Sequence, residues 1–165
     1  MLVCLSGFMG SGKTTVGKIV ADALGCPFLD LDDLIVKKAG KSVPDLFAQD
    51  GEASFRQLEA RILRQTVDKY AGNTAVLALG GGAVLAPASA ALLREKTVCI
   101  YLRATLDTLR QRLEGETADR PLADDRLAER LSRREPVYEE TAHVIVDTDG
   151  LSPEEVADEI IISTL

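Results

Sequence analysis

The stretch "LVCLSGFMGSGKTTVGKIVADALG", residues 2–25, decides how this chain folds. It opens with the unbroken apolar run Leu2, Val3, Cys4 and Leu5, turns through a glycine-rich segment, and closes with Val16, Ile19, Val20, Ala23 and Leu24 at helical spacing, with Gly25 at the exit. Gly7, Gly12, Lys13 and Thr14 fill the four defining positions of G-x-x-x-x-G-K-[ST]. Glycines let the backbone curl so that the N–H groups of Gly10, Ser11, Gly12, Lys13, Thr14 and Thr15 point at one anion, and the following helix adds its positive end. Lys13 would reach the β- and γ-phosphates of a nucleotide, and the Thr14 hydroxyl would take a place on Mg²⁺. A strand, this loop and a helix in that order make a P-loop and predict a nucleotide and Mg²⁺ as ligands.

Outward from that unit, short apolar runs alternate with longer helical patterns, the signature of a parallel sheet covered by helices. Strands are predicted at residues 2–6, 27–30, 75–79, 97–102 and 143–147. Gly25 and Gly40 read as left-handed helix ends, and Ser42 with Asp45 as a helix start, with Gly51 marking a bend or break. Ser152, Pro153 and Glu155 form a capping box with proline at the first helical position. The expectation is an α/β fold in three layers around a five-stranded parallel sheet, one domain over 1–165 without repeat or linker.

Composition narrows the function. The chain has 165 residues, 26 acidic against 19 basic, and a net charge of −7. A partner nucleic acid held by a general basic surface is therefore not expected, and any anionic ligand must be met by locally placed cations. No apolar run approaches the roughly 18 residues of a membrane span, and the first residues read as a core strand rather than a signal peptide, so no membrane association and a cytoplasmic location are expected. Cys4, Cys26 and Cys99 lack C-x-x-C spacing and read as buried free thiols. The single histidine, His143, reads as structural or superficial.

A P-loop names only a nucleotide, so the second substrate must be sought elsewhere. In "LDLDDLI", Asp30 and Asp32 lie two apart where a strand gives way to a helix, on the same side and facing the phosphates. Either could hold Mg²⁺ through water or accept the proton of an attacking hydroxyl; Asp33 reads as helix N-terminal charge. In "LALGGGAVL", Gly80, Gly81 and Gly82 bring bare backbone close to a neighbour or to a ligand rich in hydroxyls. In "ETADRPLADDRLAERLSRREPVYEE", the polar segment 114–119 suits a mobile cover that delivers Arg120 to the transferring phosphoryl group. Arg126, Arg130 and Arg133 or Arg134 recur at helical spacing, and spacing alone leaves most of them as surface.

Taken together and in order, "GFMGSGKTTVGK", "FLDLDDLI", "FAQDGEASFRQLE", "LALGGGAVL", "RPLA" and "RREPVYEE" resemble the shikimate kinases, over essentially the whole chain. The resemblance implies the nucleoside monophosphate kinase fold, with a substrate-binding region near 32–62 and a lid near 113–125. It implies transfer of the γ-phosphoryl of ATP to the 3-hydroxyl of shikimate, on the route to chorismate and the aromatic amino acids, by a chain expected to be monomeric. The family's ring-contacting aspartate falls on Asp32, its acceptor-binding arginines on Arg56 and Arg134, its triple glycine on Gly80 to Gly82, and its lid arginine on Arg120. Arg112 or Arg110 matches the arginine that stacks on adenine, and 148–153, ending in Pro153, matches the loop closing the other side of the base.

Elementary chemistry agrees with that assignment. A planar carboxylate is best gripped by guanidinium groups through paired N–H···O contacts, which Arg56 and Arg134 would supply. Glu59, one turn after Arg56, either holds that side chain in place or makes an ordinary surface pair with it. Asp32 would take the hydroxyl proton, while Lys13, Mg²⁺ and Arg120 would offset charge moving toward the bridging oxygen. The segment "LEGETAD" is acidic where many family members are basic, and "RPLADD" replaces the more usual "RPLL". A gluconate kinase would show a D-G-D-x-x-H-type sequence after the second strand, and a nucleoside monophosphate kinase D-G-[FY]-P-R after the third. A nucleotide-binding module without phosphotransfer would have no use for two carboxylate-binding arginines.

Overall fold

The computed structural model describes residues 1–116 and 124–164. Along the chain these form β1 (Leu2–Ser6), α1 (Lys13–Leu24), β2 (Phe28–Asp30), α2 (Leu31–Ala39), α3 (Val43–Lys69), β3 (Ala75–Ala78), α4 (Pro87–Lys96), β4 (Val98–Arg103), α5 (Leu106–Glu116), α6 (Asp124–Thr141), β5 (Val144–Asp147) and α7 (Pro153–Thr164). A 3-10 turn, Ala83–Leu85, follows the triple glycine. All five strands are parallel, in the order β2-β3-β1-β4-β5, with Cys4 opposite Leu77 on one side and Cys99 on the other.

Both faces of the sheet are covered, and so β1 reads as a continuous apolar run rather than an alternating one. Leu2 and Cys4 face a core built with Leu31, Ile35, Phe55, Leu63, Leu109 and Tyr138 of α2, α3, α5 and α6. Val3 and Leu5 face the opposite core, with Val16 and Val20 of α1 and Val156 and Ile160 of α7. Each such fully buried side chain stabilises the fold by about 1.5–3 kcal/mol. The α1 face differs from the expected one: Val16, Gly17, Val20 and Ala21 are buried, whereas Ala23 is exposed. The stripe is turned because Gly17 lies against Phe28, where an added Cβ would come within 2.5 Å of the ring.

The helix ends carry the signals expected of them. At Gly25 (φ 64°) the backbone N–H reaches the carbonyls of Ala21 and Asp22. Ser42 accepts from Asp45 N at 3.2 Å, and Gly51 (φ 83°, ψ 169°) breaks α3 into two arms, a conformation that favours glycine. Ser152 and Glu155 exchange hydrogen bonds of 3.1 Å in a reciprocal box. His143 is structural: its Nδ1 accepts from Cys99 N at 3.0 Å and its Nε2 lies 2.9 Å from the Arg94 carbonyl, tying β4, β5 and α4. Cys4 and Cys99 are buried free thiols, and burial raises both, Cys99 to about 12. Cys26 is only half-buried, because it sits in the turn leaving α1. Among the described residues, no helix is long and apolar enough to cross a membrane.

Candidate active site

The carboxyl ends of β1, β2 and β3 deliver three loops to one edge of the sheet, where ligands of open α/β folds bind. The loop after β1 lines a cavity of about 440 Å³ with Gly10, Ser11, Gly12, Lys13, Thr14 and Thr15, closed by Arg112, Thr148, Leu151 and Pro153. Lys13 folds back on its own loop, its Nζ donating to the carbonyls of Gly7 (2.6 Å) and Phe8 (3.2 Å). Burial lowers its pKa to about 8, against the attraction of Asp32 and Asp30 and with a further push from Arg134.

Arg112 spans the cavity rim. Its Nη1 donates to the carbonyls of Gly10 and Ser11 at 3.3 Å and to Thr148 Oγ1 at 3.2 Å, and its Nη2 to the Thr148 carbonyl at 3.3 Å. Of the two arginines expected beside a base, Arg112 lies in this cavity, while Arg110 does not line it and approaches Asp107 at 3.9 Å. The loop holding Thr148 is pinned in turn, since Asp149 accepts from Thr105 N at 3.1 Å.

Asp30 and Asp32 reach the site by a route other than strand alternation. The strand ends at Asp30, which caps α2 by accepting from Asp32 N (2.9 Å) and Asp33 N (3.3 Å). Asp32 therefore sits in the first turn of a helix, and Asp33 is the exposed first-turn charge expected of it. The second oxygen of Asp30 accepts from Thr14 Oγ1 at 3.3 Å, which joins the acidic cap directly to the phosphate-binding loop. Burial first, then the neighbouring Asp30 charge, raises the Asp32 carboxyl, with Lys13 opposing.

The triple glycine is the floor on which the other side chains meet. A Cβ on Gly80 would lie 3.0 Å from Glu59 Oε2 and 3.2 Å from Asp32 Oδ1; one on Gly81 would lie 3.2 Å from Arg134 Nη1; one on Gly82 would fall 2.5 Å from both terminal nitrogens of Arg56. Arg56 is backed by the rings of Phe55 and Phe47, 5.3 and 6.0 Å from its guanidinium carbon, and Arg134 lies 5.7 Å from the Phe8 ring. Glu59 resolves the alternative left open by spacing: it is 3% exposed and bonds Arg56 Nη1 at 2.8 Å, so it is a buried support rather than a surface pair. Burial raises its carboxyl, opposed by that bond.

Sequence reasoning missed Tyr138. Fully buried on α6, it donates its hydroxyl to the Gly81 carbonyl and stacks tilted on Tyr101 at 5.0 Å; burial raises its pKa, with the nearby Arg134 charge opposing. The signal was its place four residues after Arg134, on the same helical face. Arg120 lies outside the described residues. Of the segment expected to form a lid, 113–116 and 124–125 are helical, within α5 and α6; Leu113 is buried and would lie within 3.2 Å of a Cβ on Gly10.

A five-stranded parallel sheet with a P-loop after β1 and a separate basic and acidic floor beside it defines a P-loop kinase of the nucleoside monophosphate kinase-like fold, with ATP as co-substrate. The family model for shikimate kinase matches residues 9–164. A shikimate kinase of Enterococcus faecalis is 42% identical over 96% of this chain and 95% of its own, and one of Salinibacter ruber is 46% identical over 90% and 78%. Among solved structures, shikimate kinase from Acinetobacter baumannii in complex with shikimate superposes with a TM-score of 0.88 at 33% identity, covering 97% of this chain and 90% of that one. This chain belongs to the shikimate kinase family.

Proposed function

We propose that this chain phosphorylates shikimate at its 3-hydroxyl through the floor formed by Gly80 to Gly82, with the P-loop cavity holding ATP. The observation that carries the reading is the convergence of Asp32, Glu59, Arg56 and Arg134 on those three glycines, beside Lys13. Two guanidinium groups suit the acceptor's carboxylate and bare backbone suits its hydroxylated ring. Asp32, its carboxyl raised, accepts the proton of the attacking hydroxyl at Oδ1 or Oδ2. Lys13 leaves the Gly7 and Phe8 carbonyls for the phosphates, and Arg112 faces the base with Pro153 opposite. Arg120, by its place in the family pattern, would neutralise the transferring group.

The oxygen donors at this edge fit Mg²⁺. Thr14 Oγ1 and Asp30 already touch, Asp32 is two residues on, and no group of three metal-ligating acidic, histidine or cysteine residues stands among the described residues. That suits an ion that keeps several waters and phosphate oxygens. Thr14 would bind it directly and Asp30 and Asp32 through water, and the ion would supply charge neutralisation between the β- and γ-phosphates. The chain acts as a cytoplasmic monomer in this reading, requiring no second subunit to complete the floor.

Release of ADP from ATP and Mg²⁺, compared across shikimate, gluconate, AMP and no acceptor, tests the activity. Turnover with shikimate alone is the expected result; none above background would sink the acceptor assignment. Arg134→Ala should weaken shikimate binding by roughly tenfold to a hundredfold and leave ATP binding intact. Calorimetry showing the reverse pattern would remove Arg134 from the carboxylate grip.

A further inference from the structure

One face of α6 carries Arg126, Arg130 and Arg134 at i, i+4 and i+8, and all three line a cavity of about 440 Å³ together with Leu85, Glu129 and Arg133. Arg133 is neutralised within the helix, bonding Glu129 at 2.5 Å. Among the described residues, Arg126, Arg130 and Arg134 have no carboxylate partner within 4.0 Å. Like charges at i,i+4 destabilise a helix, and a chain with 26 acidic residues had ample means to interleave them. Exposure is graded along the row: Arg126 and Arg130 are exposed, whereas Arg134 is half-buried over Phe8 and reaches the glycine floor. The lining thus runs from two exposed arginines to the half-buried Arg134.

We infer that this arginine row is a capture path for the anionic acceptor, in which Arg126 and Arg130 draw a carboxylate toward Arg134 and take no part in the phosphoryl transfer. A net charge of −7 repels anions at long range, so a local basic row at the mouth changes the encounter rate more than it would on a neutral protein. The inference rests on the acceptor reading above and assigns to that site its point of entry.

The test compares wild type, Arg126→Gln with Arg130→Gln, and Lys37→Gln with Lys38→Gln. The lysine pair alters net charge equally on the separate α2–α3 groove. For each protein, kcat and KM for shikimate and for ATP are measured from roughly 20 to roughly 300 mM salt. The arginine variant should lose roughly three- to tenfold in kcat/KM for shikimate at low salt and show a flatter salt dependence. Its kcat and its KM for ATP should be unchanged, and the lysine variant should match wild type. An arginine variant with wild-type kcat/KM and salt slope overturns the capture path, as does an equal loss in the lysine variant or a fall in kcat. Wild type that fails to turn over shikimate at all overturns the acceptor reading and the path with it, an outcome distinct from the other three.

Discussion

Asp32 is placed under two opposed demands. Burial and Asp30 raise its carboxyl, so the folded state keeps a proton to higher pH than the unfolded chain does. Stability then falls as pH rises from the ordinary carboxylate range through the folded value, and above that value the full cost is present. Asp32→Asn removes the charge: in urea it should unfold at higher denaturant than wild type at pH 7, the difference narrowing toward about pH 4. Turnover should fall by roughly 10²–10⁴-fold in the same variant, with acceptor affinity within about tenfold. Equal stability at both pH values would show that the charge is not costly, and unchanged turnover that it is not used. Lys13 gives a second reading at this scale. With its pKa lowered to about 8 in the free protein and phosphate expected to raise it, ATP affinity should be level below pH 8 and weaken above it. Calorimetric titrations from pH 7.5 to 9.5 check this, and a level response throughout would remove the lysine charge from ATP binding.

At the scale of elements, α1 offers the sharpest contrast between propensity and packing. Gly17→Ala should favour an isolated helix by about 1 kcal/mol, yet the new methyl would meet Phe28 at 2.5 Å and Leu5 at 3.3 Å. The expected net effect is a loss of about 1–2 kcal/mol in urea unfolding, since overpacking outweighs the propensity gain. A variant as stable as wild type would mean that the Phe28 ring swings aside freely. The same helix shows what sequence could and could not reveal. All five strands were legible to within one residue at either end: the central β1, β3 and β4 are buried and so apolar nearly throughout, while the partly exposed edge strands β2 and β5 still read as short apolar runs ending in aspartate. The inward face of α1 was misjudged at Ala23, because a small residue does not announce burial and the turn of the stripe is set by Phe28 from another element. Asp30 was legible as a site residue but not as a helix cap, since its reach to both Thr14 and the α2 amides depends on where the strand stops. Helical spacing put Glu59 beside Arg56 and Tyr138 beside Arg134, but whether each pair is buried depends on distant segments, which spacing does not encode.

Across the whole molecule, an acidic chain concentrates its useful cations at one edge of the sheet: Lys13 and Arg112 around one cavity, Arg56 and Arg134 on the adjoining floor. The P-loop cavity is walled by elements from both ends of the chain, the loop after β1 and the loop before α7, bridged by Arg112. Binding there should stabilise the native state as a unit. ATP at about 100 times its Kd should raise the thermal midpoint by roughly 5–10 °C, and Arg112→Ala should shrink that shift at the same ATP concentration. An undiminished shift would show that the bridge does not contribute to nucleotide affinity.

The glycine floor has a consequence for inhibition and escape. A compound seated on Gly80 to Gly82 would meet main chain, which point mutation leaves chemically unchanged, between the side chains that crowd these glycines. The resistance route then open is to add a side chain, and at each of the three positions that side chain would enter space beside Asp32 and Glu59, Arg134 or Arg56. A substitution that ejects such a compound must therefore also displace Asp32 and Glu59, Arg134 or Arg56, the side chains proposed above to hold the acceptor.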